Sequence, residues 1–183
     1  MTSPSQPIQT ITLGGGCFWC TEAVFLQVRG VLAVESGYCN GHTTKPSYQE
    51  VCTGNTGHNE VVQLRFDANV IPLQSILDIF FGTHDPTTLN AQGNDHGTQY
   101  RSGIYTPGDD QHAAVKAYLD DLKANKSWFS LPVVTELEAL TNYSRAEDYH
   151  QNYFALNPNQ GYCAFVVGPK VDKFRKAFAQ FQK

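Results

Sequence analysis

Two cysteines and three glycines lie within seven residues near the start of the chain, in the stretch GGGCFWC from Gly14 to Cys20. An apolar segment typical of a strand, IQTITL, precedes the stretch, and a helical pattern follows it. Cys17 is therefore expected at a helix N-terminus, where unpaired N–H groups and the helix dipole lower a thiol pKa from about 8.5. The glycines allow another molecule to approach the backbone closely. The pattern predicts a nucleophilic thiol at Cys17, with Phe18 and Trp19 as walls of an apolar pocket.

The C-x-x-C spacing of Cys17 and Cys20 also suits two other kinds of site, thioredoxin-like disulfide exchange and half of a zinc site. The bulky Phe-Trp pair between the cysteines disfavours exchange with protein disulfides, which needs an accessible, flat surface. A structural zinc site needs a second ligand pair, and the sequence has no other C-x-x-C and no H-x(3–5)-H. We expect no metal. A protein-disulfide oxidoreductase and a zinc- or peptide-binding module are the alternatives.

Strands and helices alternate along the chain without a strict βαβ order. Strand patterns occur in IQTITLGGG, VLAVESGY, EVVQLRFD, RSGIYT and VVTELEAL, and helical patterns in CTEAVFLQV, PLQSILDIFF, the segment after Pro107, RAEDYHQNYF and KVDKFRKAFAQF. The order predicts an α+β fold with a central mixed sheet and helices packed against it. We expect a two-layer α/β sandwich with a ferredoxin-like core, long functional loops and a C-terminal extension.

Two long polar segments interrupt these patterns. One runs from His84 to Tyr100 (HDPTTLNAQGNDHGTQY), and the other is CNGHTTKPSYQEVCTGNTGHNE, between two predicted strands. Connections of this length within a domain are usually functional or disordered, and the Asp, His and Tyr content favours function. The two loops are expected to face the glycine turn across one cleft.

Composition limits the remaining possibilities. The 183 residues, 41% of them hydrophobic, suit one soluble catalytic domain over 1–183, with 1–7 as a frayed lead-in. A net charge of −4 without a basic run argues against nucleic acid and anionic lipid, and no apolar stretch is long enough to span a bilayer. Five irregularly spaced cysteines and no secretory signal indicate a reducing, cytoplasmic setting rather than a disulfide framework. Nothing in the sequence calls for a second chain, so we expect a monomer.

Four blocks carry a resemblance to a known family: GGGCFWC, PSYQEVCTGNTGHNEVV, HDPTTLNAQGNDHGTQYRS and YHQNYFALNPNQGYC. Together they resemble the peptide methionine sulfoxide reductase A family, in register from about Ile11 to Cys163. The resemblance implies that Cys17 attacks the sulfur of a methionine-S-sulfoxide, either free or within a protein, without a cofactor.

The resemblance also implies roles for the neighbours of this thiol. Glu60 matches the family's acid, and it must stay protonated near neutral pH, which burial would favour. Tyr48 and Tyr100 match the family's hydroxyl donors to the sulfoxide oxygen. Asp95 matches the residue that places the substrate backbone. Phe18 and Trp19 would clasp the terminal methyl group and select the sulfoxide epimer.

Attack leaves a sulfenic acid on Cys17, which a second thiol converts to a disulfide that thioredoxin reduces. Cys163 matches the family position for this resolving thiol and is the first choice. Cys20, where many relatives have glycine, is the second choice, although disulfide geometry in a helical i, i+3 pair requires local unwinding. After Cys163, many relatives have a glycine-rich tail with another cysteine. This chain instead continues as AFVVGPKVDKFRKAFAQFQK, which is expected to form a strand and a helix. Cys39 and Cys52 are expected to be buried or incidental.

Overall fold

The structure is a computed structural model that describes residues 7–125 and 128–183. Its strands are β1 (Ile8–Gly14), β2 (Val31–Cys39), β3 (Asn59–Asp67), β4 (Ala91–Gln92), β5 (Asp95–His96), β6 (Gly103–Thr106), β7 (Glu136–Ala139) and β8 (Ser144–Arg145). Its α-helices are α1 (Phe18–Phe25), α2 (Tyr48–Cys52), α3 (Leu73–Gly82), α4 (Asp109–Ala124), α5 (Tyr153–Leu156) and α6 (Gly168–Ala177). A π-helical turn, Cys163–Val167, leads directly into α6. Nearly all of the frayed lead-in expected over 1–7 lies outside the described residues.

The central sheet has six strands in the order β7-β6-β1-β3-β2-β8. The β6–β7 pair is parallel and the other pairs are antiparallel, so the sheet is mixed. Four strands and two helices, β1-α1-β2-β3-α3-β6, follow the βαββαβ order of a ferredoxin-like unit. The α+β fold with helices against a mixed sheet is confirmed.

The core forms where the alternating side chains of the sheet meet the helices. Val62, Leu64 and Phe66 of β3 are fully buried in one hydrophobic cluster, as their spacing in the sequence predicts. Helix α3 adds to this cluster a buried face that includes Ile76 and Phe80. Burial of this apolar surface stabilises the sheet that carries the site residues.

The C-terminal tail differs from the expectation of a strand followed by a helix. The segment forms the π-helical turn and α6, so the predicted strand is wrong, and the predicted helix is confirmed. Val167, Val171 and Phe174 are buried at the i, i+4, i+7 spacing of one helical face, and Pro169 lies in the first turn, where proline is tolerated. This helical segment packs against α1.

The two polar segments contain short elements of their own. The segment from His84 to Tyr100 holds the β4–β5 hairpin and a 3₁₀ turn, Thr98–Tyr100. The other segment contains α2, which begins after a capping box made by Ser47 and Glu50. Among the described residues, no helix combines the length and apolarity needed to cross a bilayer.

Candidate active site

The glycine turn after β1 places Cys17 at the first residue before α1. Gly16 has a φ of +93°, and a Cβ there would lie 2.6 Å from Cγ of Gln92, so both conformation and space require glycine. Cys17 caps α1 with an extended backbone (φ −55°, ψ 126°), and its carbonyl accepts a hydrogen bond from the Cys20 N–H at 3.1 Å. The predicted position at the helix N-terminus is confirmed. Cys17 itself therefore lies outside the helical turns.

A buried carboxylic acid lies beside this thiol. Glu60 of β3 is only 1% exposed, and its Oε1 accepts a hydrogen bond from the Phe18 N–H at 3.3 Å. Its Oε2 is buried without a hydrogen-bond partner in the described structure. Burial raises the pKa of Glu60 from 4.5 to about 8. Glu60 is therefore mainly protonated at pH 7, with one oxygen free to donate its proton to a bound group.

The same burial acts on Cys17, which is 8% exposed. Desolvation raises the pKa of its thiol, with further increases from its hydrogen bond to Cys20 and from Glu60. The sequence-based expectation of a lowered pKa at the helix N-terminus is therefore wrong, because loss of hydration outweighs the helix dipole in this enclosed position.

Cys20 lies one turn further on and is 2% exposed. The hydrogen bond from the Cys17 thiol lowers its pKa, against the opposing effect of burial, and the charge of Lys170 lowers it further. The Tyr162 hydroxyl lies 3.9 Å from the Cys20 sulfur. Within the pair, the Cys17 thiol is therefore the hydrogen-bond donor and the Cys20 sulfur is the acceptor.

Tyr48 and Tyr100 approach the site from the two polar segments. Tyr48 is the first residue of α2, and its N–H donates to Oε2 of Glu147 at 3.0 Å. Burial raises the pKa of both phenols, and the Glu60 charge raises it further. A 3.5 Å hydrogen bond from Gln99 Nε2 to the Cys52 carbonyl joins the two segments. Both phenols therefore remain protonated donors on the segments that meet beside the glycine turn.

The two aromatic residues after Cys17 have different surroundings. The Trp19 indole is half-buried and stacks on Tyr153, with ring centroids 3.8 Å apart, and its Nε1–H donates to Nδ1 of His150 at 3.0 Å. Phe18 is buried, with its ring 5.7 Å from the Tyr38 ring. Trp19 thus offers an accessible, fixed wall beside the thiol, whereas Phe18 lies behind the surface.

Asp95 and Tyr162 form a link across the site that the sequence analysis did not find. The Tyr162 hydroxyl donates to Oδ2 of Asp95 at 2.5 Å. Tyr162, His150 and Tyr153 all come from the block YHQNYFALNPNQGYC, in which only the final cysteine was assigned a role. The signal available there was four aromatic residues and a histidine in a mostly polar segment.

The remaining cysteines differ in their burial and in their neighbours. Cys163 is fully buried, and its thiol pKa is raised by burial and by the charge of Cys20. Cys52, expected to be buried or incidental, is exposed and interacts with the Tyr48 hydroxyl. Cys39 lies in a separate small cluster with Val61 and Tyr105. All five thiols are free, and within the described ranges no group of three His, Cys, Asp or Glu side chains could hold a metal ion.

A thiol next to a protonated carboxylic acid can transfer electrons to a substrate whose leaving oxygen needs a proton, so the site suits a cysteine-dependent oxidoreductase. The model of the peptide methionine sulfoxide reductase family matches residues 9–182. The chain belongs to this family and is an oxidoreductase, a peptide methionine sulfoxide reductase.

Similar proteins support the assignment over nearly the whole chain. The peptide methionine sulfoxide reductase MsrA of Ralstonia nicotianae is 54% identical over 178 residues, covering 95% of this chain and 93% of that protein. MsrA of Polynucleobacter asymbioticus is 53% identical, covering 93% and 90%. Reduced Mxr1 of Saccharomyces cerevisiae has a similar structure, with a TM-score of 0.78 and 34% identity, covering 88% of this chain and 92% of that one. Methionine sulfoxide reductase A of Corynebacterium diphtheriae has a TM-score of 0.80 and 35% identity, covering 88% and 80%.

Proposed function

We propose that the chain reduces the S epimer of methionine sulfoxide, free or within proteins, by nucleophilic attack of Cys17 on the sulfoxide sulfur. The observation that carries this proposal is the buried acid Glu60, whose Oε2 has no partner in the described structure, next to the Cys17 thiol. A sulfoxide oxygen leaves only when it is protonated or strongly hydrogen-bonded, and Glu60 supplies the proton from its acid form.

The reductive step transfers two electrons from the thiolate to the sulfoxide. Cys17 first loses its thiol proton to solvent, and its sulfur then forms a bond to the substrate sulfur while Glu60 protonates the sulfoxide oxygen. Transfer of this hydroxyl to the Cys17 sulfur releases methionine and leaves Cys17 as a sulfenic acid. Glu60 then recovers its proton from water.

Tyr48 and Tyr100 assist this step as neutral hydrogen-bond donors to the developing negative charge on the oxygen. Their raised pKa values keep both hydroxyl protons in place across the neutral range.

The Trp19 indole, fixed by Tyr153 and His150, offers the apolar wall for the substrate methyl group, with Phe18 behind it. Asp95 holds the substrate backbone.

We propose Cys20, rather than Cys163, as the thiol that resolves the sulfenic acid. Cys17 is the cap of α1 and has an extended backbone, so the pair can approach disulfide geometry without unwinding a helical turn. The Cys20 sulfur attacks the Cys17 sulfur, the disulfide forms, and the sulfenic hydroxyl leaves as water with the Cys20 proton. Cys163 is fully buried, and the neighbouring thiol whose charge raises its pKa is Cys20 rather than Cys17.

The cycle needs a dithiol to reduce the disulfide, and we propose thioredoxin for this role. Mxr1 of Saccharomyces cerevisiae has been crystallised in complex with Trx2, and this structure shares the fold of the chain. The five free thiols are compatible with a reducing, cytoplasmic setting, and we propose that the chain acts as a monomer without metal, nucleic acid or membrane.

Three serine variants test the roles of the thiols. Cys17→Ser should abolish methionine formation. Cys20→Ser should form about one methionine per protein and then stop cycling with thioredoxin, because the sulfenic acid is not resolved. Cys163→Ser is the matched control and should cycle near the wild-type rate. Loss of cycling in Cys163→Ser with normal cycling in Cys20→Ser would reverse the assignment. Insulin reduction by the wild type without methionine sulfoxide reduction would instead favour a protein-disulfide oxidoreductase.

A further inference from the structure

The two thiols of the redox pair differ in access to solvent. Cys17 is 8% exposed at the N-terminus of α1, whereas Cys20 is 2% exposed one turn further on, where Tyr162 contacts its sulfur. A thiol that reduces a disulfide must approach along the line of the sulfur–sulfur bond, and the attacked sulfur must be reachable. An external thiol therefore meets Cys17 first.

The C-terminal helical segment surrounds Cys20 with groups that suit a leaving thiolate. The Tyr162 hydroxyl is 3.9 Å from its sulfur, and the positive charge of Lys170 of α6 lowers the pKa of the Cys20 thiol. In the resting state, the Tyr162 hydroxyl donates its proton to Oδ2 of Asp95 at 2.5 Å. If this hydroxyl rotates toward Cys20, the same proton becomes a hydrogen-bond donor to the Cys20 thiolate.

We propose that the disulfide is reduced in one direction: an external dithiol attacks Cys17 and expels Cys20, which Tyr162 and Lys170 hold as a thiolate. This inference rests on the proposed function, specifically on a Cys17–Cys20 disulfide. In the step, the attacking thiolate forms a bond to the Cys17 sulfur and the Cys17–Cys20 bond breaks, so the electron pair goes to Cys20. The second thiol of the reductant then attacks the mixed disulfide, which frees Cys17 and leaves the reductant oxidised.

Trapping with a thioredoxin variant that lacks its second cysteine tests the direction of attack. The wild-type chain is oxidised with one equivalent of methionine sulfoxide, its disulfide is mapped by mass spectrometry, and the trap is added. The mixed disulfide should be on Cys17. A mixed disulfide on Cys20 would overturn this inference and leave the proposed function intact. An oxidised chain without the Cys17–Cys20 disulfide would overturn both the inference and the resolving role of Cys20.

Lys170→Met and Lys173→Met form a matched pair that tests the stabilisation of the leaving thiolate. Both remove one positive charge from α6 and from the surroundings of His84, but only Lys170 affects Cys20. Lys170→Met should slow reduction of the preformed disulfide by about threefold for each unit that the Cys20 pKa rises, given the sensitivity of thiol exchange to thiol pKa. In a Cys17→Ser background, thiolate absorbance near 240 nm should titrate at higher pH with Lys170→Met than with Lys173→Met. Equal rates and equal titrations in the two variants would exclude the role of Lys170.

Discussion

Replacement of Glu60 by glutamine should make the protein more stable and less active. The folded-state pKa of about 8 exceeds the ordinary value of 4.5, so the native state binds the proton more tightly than the unfolded state. The contribution of protonated Glu60 to the free energy of unfolding is fully present below pH 4.5 and is lost as the pH rises toward 8. Each pH unit within that window costs about 1.4 kcal/mol, which gives a cost of about 1 kcal/mol at pH 5 and about 3 kcal/mol at pH 7.

Glu60→Gln removes this cost because a neutral amide of the same shape replaces the acid. Denaturant unfolding of both proteins should therefore show a stability difference that favours the variant and grows by about 2 kcal/mol between pH 5 and pH 7. Glu138→Gln, an exposed change on β7, is the control and should leave stability within about 0.5 kcal/mol of wild type at both pH values. A difference between wild type and Glu60→Gln that does not change with pH would refute the buried-acid argument.

The activity of the same variant provides a second, independent measurement. Loss of a positioned acid should slow the single-turnover formation of methionine by about 10²–10⁴-fold. The wild-type rate should rise with pH up to about 8 and then level, because further ionisation of Cys17 is offset by loss of the Glu60 proton. The Glu60→Gln rate should continue to rise above pH 8. An unchanged rate and pH profile in the variant would remove Glu60 from the mechanism.

Two further changes test other parts of the site. Tyr48→Phe and Tyr100→Phe should each slow single turnover by about tenfold and the double variant by about 10²–10³-fold, with little change in stability, because neutral donors to the oxygen are lost; a double variant with the wild-type rate would contradict this role. Gly16→Ala should destabilise the protein by about 2–4 kcal/mol, because it combines a positive φ with a clash against Gln92. Thermal unfolding would measure this loss, with Gly108→Ala as the control, since its backbone is extended and a Cβ there meets no atom within 4 Å.

Much of the fold could be predicted from the periodicity of the sequence. The alternation from Val62 to Asp67 in β3 and the amphipathic pattern of α3 reflect burial on one side, which a local pattern records directly. The segment AFVVGP has the pattern of a strand but is helical, because four apolar residues in a row do not distinguish a strand from a buried helical face. Its partner, α1, lies more than a hundred residues away in the chain, so no local signal could decide between them.

The sequence indicated which residues belong to the candidate site better than it indicated the pKa shifts of those residues. Residue types and spacing identified Cys17, and the family resemblance identified Glu60, but the direction of the Cys17 pKa shift depends on how completely the folded chain removes water. The preference between Cys20 and Cys163 likewise depends on a backbone detail, the extended conformation of a helix cap. Such quantities arise from three-dimensional packing and are not carried by any short motif.

The contact of Tyr162 with Cys20 spans 142 residues of sequence, and that of His150 with Trp19 spans 131. During synthesis, the thiol pair leaves the ribosome before the residues that enclose it. A truncated or half-folded chain therefore exposes both thiols to oxidants. Recovery of catalytic turnover after dilution from denaturant therefore reports that the C-terminal fifth of the chain has packed against the thiol pair.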